Sequence, residues 1–169
     1  MNLFKKLFAG KAMSQSQESG SGAIESILMV EDRDLYFSVR DASDDQRRRA
    51  VLAALRYAVA CVNLHRAEID EALSCLAVGA RPSDTVNSGI KRLMEDLDQE
   101  DCDLQERRLE GAETSQPEQV SLAFRQARAA SSVSSALSGK ADEAVYEAIH
   151  AIQDLPKVRE IVLSALRGI

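Results

Sequence analysis

Tryptophan is absent from this 169-residue chain, and aromatic residues make up only 4% of it. Strands favour aromatic and β-branched side chains, so a palette rich instead in Ala, Leu, Arg, Glu and Gln points to helices. Proline occurs only three times, leaving long stretches with nothing to break a helix. The three cysteines, Cys61, Cys75 and Cys102, are odd in number and form no C-x-x-C pair. That pattern fits reduced, mostly buried thiols in a cytosol better than a disulfide framework. No apolar run approaches the roughly 20 residues that span a bilayer. The one apolar patch near the start, LFKKLF, is interrupted by Lys5 and Lys6, so no signal peptide is expected and the protein is expected to be cytoplasmic.

Catalytic signatures are missing too. The chain has no G-x-S-x-G, P-loop or H-E-x-x-H, and the serines of SSVSS (131–135) have no base placed near them in sequence. Neither an enzyme nor a bound cofactor is expected. Cys61 and His65 stand at i and i+4, a spacing that can present two metal ligands on one helix. Metal sites need three or four, and His150 is the only other histidine, so the pair reads as a buried thiol and a half-buried imidazole. Asp96-x-Asp98-x-Glu100 opens like a calcium loop, but Asp101 stands where such a loop needs its turn glycine and Arg107 where it needs its closing Glu.

What the chain does have is one long candidate helix. Asp44 to Val78 contains no Gly or Pro, and Leu55, Val59, Val62, Ile69, Leu73 and Leu76 follow a single helical stripe. Between Ala50 and Val62 nearly every position is apolar, which places this helix at the centre of the fold. Ser43-Asp-Asp-Gln46 is a capping box that marks its start.

Ahead of it, residues 1–22 read as a short amphipathic tail (Leu3, Phe4, Leu7 and Phe8 beside Lys5, Lys6 and Lys11) followed by a Ser/Gly/Gln linker. The folded domain is expected to span 23–169. Residues 23–40 fit a helical stripe, although Leu35, Phe37 and Val39 also alternate as a strand would. Gly79 and Pro82 stop the central helix, and a second helix begins near Ser83 with Val86, Ile90, Leu93 and Leu97 inward. A separate short helix is expected around Leu104 and Leu109. Ser115-Gln-Pro-Glu118 opens a helix that runs to Leu137 through small residues, which allow close helix approach. Two more follow, over 141–154 and from a cap at Asp154, giving about six helices.

Charge is unevenly spread. Residues 1–22 carry +2, and the net −6 of the chain therefore leaves −8 on residues 23–169. Such a body repels nucleic acid and attracts cationic surfaces. The acids concentrate at Glu95, Asp96, Asp98, Glu100, Asp101, Asp103 and Glu106. This run is either a solvated helix face or a docking surface for a basic partner, with carboxylates steering the approach. Arg47, Arg48 and Arg49 could pair with it.

Two stretches carry a family likeness. AVYEAIHAIQDLPKVREIVLSAL resembles one unit of HEAT-like helical repeats. RRRAVLAALRYAVACVNLHRAEIDEAL, followed by RPSDTVNSGIKRLMEDL and an Ala-rich helix, resembles the helical immunity proteins of bacterial toxin systems. That resemblance, over residues 44–166, implies a small acidic bundle that binds and blocks a cognate toxin. The expectation is an all-α single domain, a bundle or irregular helical-repeat stack around a long central helix, binding a basic toxin or effector. An adaptor or chaperone for a secreted effector, and a peripheral membrane protein touching lipid through residues 1–13, are the rival expectations.

Overall fold

A computed structural model describes residues 26–109 and 117–169, whose regular structure is helical throughout. Among the described residues eight helices follow one another: α1 (Ile27–Glu31), α2 (Arg33–Arg40), α3 (Asp44–Cys61), α4 (Ala67–Val78), α5 (Asp84–Leu109), α6 (Pro117–Leu137), α7 (Ala141–Ile152) and α8 (Leu155–Arg167). The protein is an all-α bundle. Residues 1–25 and 110–116, which hold the expected tail, linker, domain start and Ser115 cap, lie outside the described residues.

The described part of the ambiguous stretch before the central helix, residues 26–40, is helical apart from its caps. Asp32 leaves helical geometry at φ −146°, and its Oδ1 then accepts from the Leu35 amide at 3.0 Å. One residue therefore ends α1 and caps α2. Arg159 on α8 reaches both Asp32 and Asp34, tying the last helix to this start.

The capping box at Ser43 forms: the Gln46 amide donates to Ser43 Oγ and the Ser43 amide to Gln46 Oε1. Beyond it α3 is central, touching α2, α4, α6, α7 and α8. Ala50, Val51, Ala54, Leu55, Ala58 and Val59 are all buried on it. The helix does not continue to Val78, however. Asn63 adopts φ 52°, and the chain closes with Leu64 N–H on Val59 O (3.0 Å) and Asn63 N–H on Ala60 O (3.2 Å). These two bonds make a Schellman motif, in which asparagine takes the left-handed position usually held by glycine. The expected single helix is thus α3 and α4 with a corner between them, and Val62 and Leu64 are buried at that corner.

The expected pair of helices after Gly79 is instead one. At 26 residues, α5 is about 39 Å long. The acids do not break it because i,i+4 hydrogen bonds from Gln99 to Asp103 and from Gln105 to Asp101, both 2.6 Å, support its second half. Gly89 has a packing role: a Cβ there would stand 2.7 Å from Glu68 Cγ, so its absence lets α4 and α5 approach.

Side chains from all eight helices join one apolar cluster. Ala127, Ala129, Ala130, Ser132 and Val133 give α6 a buried face of small residues, and Ser132 Oγ donates to Ala129 O at 2.7 Å. The final helix is capped as expected, with the Lys157 amide on Asp154 Oδ1 at 2.9 Å. Among the described residues no helix is long and apolar enough to cross a membrane.

Candidate protein-binding groove

α5 touches only α4 and α6 among the described helices. Beyond Leu97 its inward residues are Asp101 and Leu104, and Leu104 with Ala123 of α6 falls outside the main cluster. The second half of α5 and the first half of α6 therefore form an arm with a thin interior of its own.

The seven acids of the sequence run are distributed around this arm, not gathered on one face. Glu95, Asp96, Asp98, Glu100 and Glu106 are exposed and Asp103 is half-buried. Glu95 lies 3.9 Å from Lys91 Nζ, and Asp98 lies 3.3 Å from Arg128 on α6. Asp101 does not face solvent at all, being only 7% exposed. It continues the buried stripe of Val86, Ile90 and Leu97, which sets it apart from the other six acids of the run. Its Oδ2 accepts from Gln105, whereas Oδ1 has no hydrogen-bond partner among the described residues. Burial raises its carboxyl above the ordinary range, with Gln105 opposing, Asp98 adding and Arg128 opposing. Partial desolvation, and then the charge of Asp101 and its acidic neighbours, raises the thiol of the largely exposed Cys102 as well.

Three of the acids act together. Asp96, Glu100 and Asp103 recur at i, i+4 and i+7 and line one wall of an open groove of about 580 Å³ between α5 and α6. None of the three forms an ion pair among the described residues. Leu104, Leu122 and Ala123 supply apolar floor, and Leu122 is 43% exposed there. Gln99, Gln126 and Arg107 complete the lining. Asp96 and Glu100 also border a second hollow of about 470 Å³, which reaches Arg66 and Glu68 at the start of α4. The two hollows thus share the same carboxylates. Gln126 fixes α6 against the corner by donating to Val62 O at 3.0 Å.

On the opposite side of the arm, Arg128 is a hub. Its guanidinium contacts Asp98 of α5 and Glu147 of α7, each at 3.3 Å, and lies over the Phe124 ring at 5.4 Å. Burial raises the Glu147 carboxyl, and Arg128 opposes that rise. This network explains why Asp98 faces away from the groove.

The arginine triplet does not meet the acidic run. Arg47 caps the end of α2, donating to Val39 O (3.0 Å), Arg40 O (2.8 Å) and Ala42 O (2.8 Å). Arg48 and Arg49 pair with Asp45 one turn back. The expected buried thiols are also corrected: Cys61 and Cys102 are exposed and Cys75 is half-buried. His65 is exposed in the corner after α3, off the helix that carries Cys61, because the Asn63 turn intervenes. No group of three metal-ligating side chains occurs among the described residues.

Comparison with protein-family models, curated proteins and solved structures gives no match for this chain.

The three groove carboxylates are legible in the sequence, but the groove is not. Leu122, Ala123 and Gln126 come from a helix read only as a small-residue surface, and no local signal pairs them with α5. Asp101 could have been recognised, because positions 97, 101 and 104 extend the 86–90–93–97 stripe by the same spacing.

Proposed function

We propose that this domain is a non-catalytic protein-binding module that captures a cationic protein in the groove between α5 and α6. Its most concrete form is an immunity protein that binds and neutralises a cognate toxin. The observation that carries the reading is the stripe of Asp96, Glu100 and Asp103, carboxylates without ion pairs among the described residues, along a groove with an apolar floor. Exposed carboxylates add little net affinity, yet their field orients an approaching basic surface. Leu104, Leu122 and Ala123 offer the apolar area from which affinity is built. The −8 charge of residues 23–169 acts in the same direction. A basic toxin surface covered by this groove would be closed to the toxin's substrate.

The test is co-expression with a candidate toxin or effector encoded beside this gene, followed by co-purification and assay of the partner's activity. An immunity protein forms a stoichiometric complex and abolishes that activity. A complex in which the partner keeps its activity and is exported would identify an adaptor or chaperone instead. Binding that survives Asp96→Lys, Glu100→Lys and Asp103→Lys together would remove the groove from the reading.

A further inference from the structure

We propose that residues 1–13 of this chain are the resting occupant of the groove between α5 and α6, and that a cationic partner must displace them. The inference rests on the groove being a cation-binding surface and adds that the protein carries its own competitor. Chemistry selects this occupant. The segment MNLFKKLFAGKAM has three lysines and no acid, with Leu3, Phe4, Leu7 and Phe8 on either side of Lys5 and Lys6. The groove offers the converse: Asp96, Glu100 and Asp103 on one wall, with Arg107 the one basic lining residue among those described, and a floor that includes the part-exposed Leu122. A second copy of the folded body is a poor occupant, because residues 23–169 carry −8 and repel one another.

Reach allows the contact. α1 rests on α7, α7 on α6, and α6 on α5. Counted across the bundle, these three steps between neighbouring helices amount to about 24–30 Å. Residues 14–25, which join the segment to Ser26, extend to about 40 Å at most. Joining the two in one chain also raises the effective concentration of a weak ligand, so a short segment suffices. Its affinity must be modest, since a partner has to replace it.

The absence of tryptophan supplies the assay. Phe4→Trp in the full chain places a single indole in the segment. The expected result is blue-shifted emission protected from acrylamide, independent of protein concentration and lost as salt rises. Two further full-chain variants should each expose the indole: Asp96→Lys/Glu100→Lys/Asp103→Lys in the groove, and Lys5→Glu/Lys6→Glu/Lys11→Glu in the segment. Combining both sets should restore protection, and circular dichroism checks that each variant is helical. A solvent-exposed indole in the parent overturns the proposal, as does protection that survives groove reversal. Protection that grows with protein concentration assigns the contact to a second copy and equally overturns it. An exposed indole together with partner binding that still depends on the groove would leave the proposed function standing and remove only the internal competitor.

Discussion

Replacing Asp101 should make the protein more stable at neutral pH, although the position lies in the most acidic stretch of the chain. Asp101 is 7% exposed, continues an apolar stripe, and leaves Oδ1 without a partner among the described residues. An unsatisfied buried polar group costs about 1–3 kcal/mol. Asp101→Leu removes that cost and places an apolar side chain between Leu97 and Leu104, but it also deletes the hydrogen bond from Gln105, worth about 1 kcal/mol. The net gain is about 0–2 kcal/mol before the new apolar contact is counted, and for a chain of this size each kcal/mol raises Tm by roughly 2–4 °C. Asp101→Asn keeps an acceptor for Gln105 while removing the charge, so it isolates the electrostatic part. Burial sets the folded pKa above the unfolded one. Ionised Asp101 therefore opposes folding. That penalty is absent below the ordinary aspartate range, grows as pH rises from there through the raised folded value, and is complete at neutral pH. Urea midpoints of the wild type and of Asp101→Asn, taken at pH 7 and again below the ordinary aspartate pKa of about 3.9, should differ at the first and converge at the second. A variant less stable than wild type at pH 7 would refute the reasoning, because it would mean that the carboxylate earns a favourable partner in the fold.

Three other outcomes follow from the packing. Val59→Asp puts an unpaired carboxylate at a position only 5% exposed in the central helix, and the cost of several kcal/mol should leave no cooperative unfolding transition by circular dichroism. Arg47→Ala removes three bonds to the carbonyls that end α2; amide hydrogen exchange should accelerate over residues 33–42, with a loss of about 1–2 kcal/mol that Arg47→Lys does not recover. Gly89→Ala alone should destabilise through its contact with Glu68 Cγ, whereas in a Glu68→Ala background the same change should stabilise by about 1 kcal/mol of helix propensity, a reversal read in a double-mutant cycle of urea midpoints.

The sequence made most of the helix ends legible because capping chemistry is local. Ser43 with Gln46, Gly79 and Asp154 all end or begin helices where their residue types require it. The corner at Asn63 was not legible. It has no Gly or Pro, and its left-handed turn is held by the burial of Val62 and Leu64 against other helices, which is a tertiary effect. The length of α5 was obscured for the opposite reason. A dense run of acids suggests a break, yet i,i+4 bonds from Gln99 and Gln105 and an inward stripe through Asp101 and Leu104 keep the helix whole. For the candidate site, the carboxylates could be read from the sequence but their sorting could not. Asp98 turns to Arg128, Asp101 turns inward, and only the packing of α6 on α5 separates them from Asp96, Glu100 and Asp103.

That sorting gives the most direct measurement of the central claim. The association rate of a cationic partner protein, followed by stopped flow at low ionic strength, should fall about tenfold or more when Asp96→Asn, Glu100→Gln and Asp103→Asn are combined, on the scale of electrostatic steering. Dissociation should change far less. The difference should shrink as salt passes about 0.15 M, where the Debye length is about 8 Å. Asp101→Asn, at a buried position, should leave the association rate near that of the wild type. An unchanged association rate in the triple variant at low salt would contradict the account and make the stripe along α5 a solvated helix face.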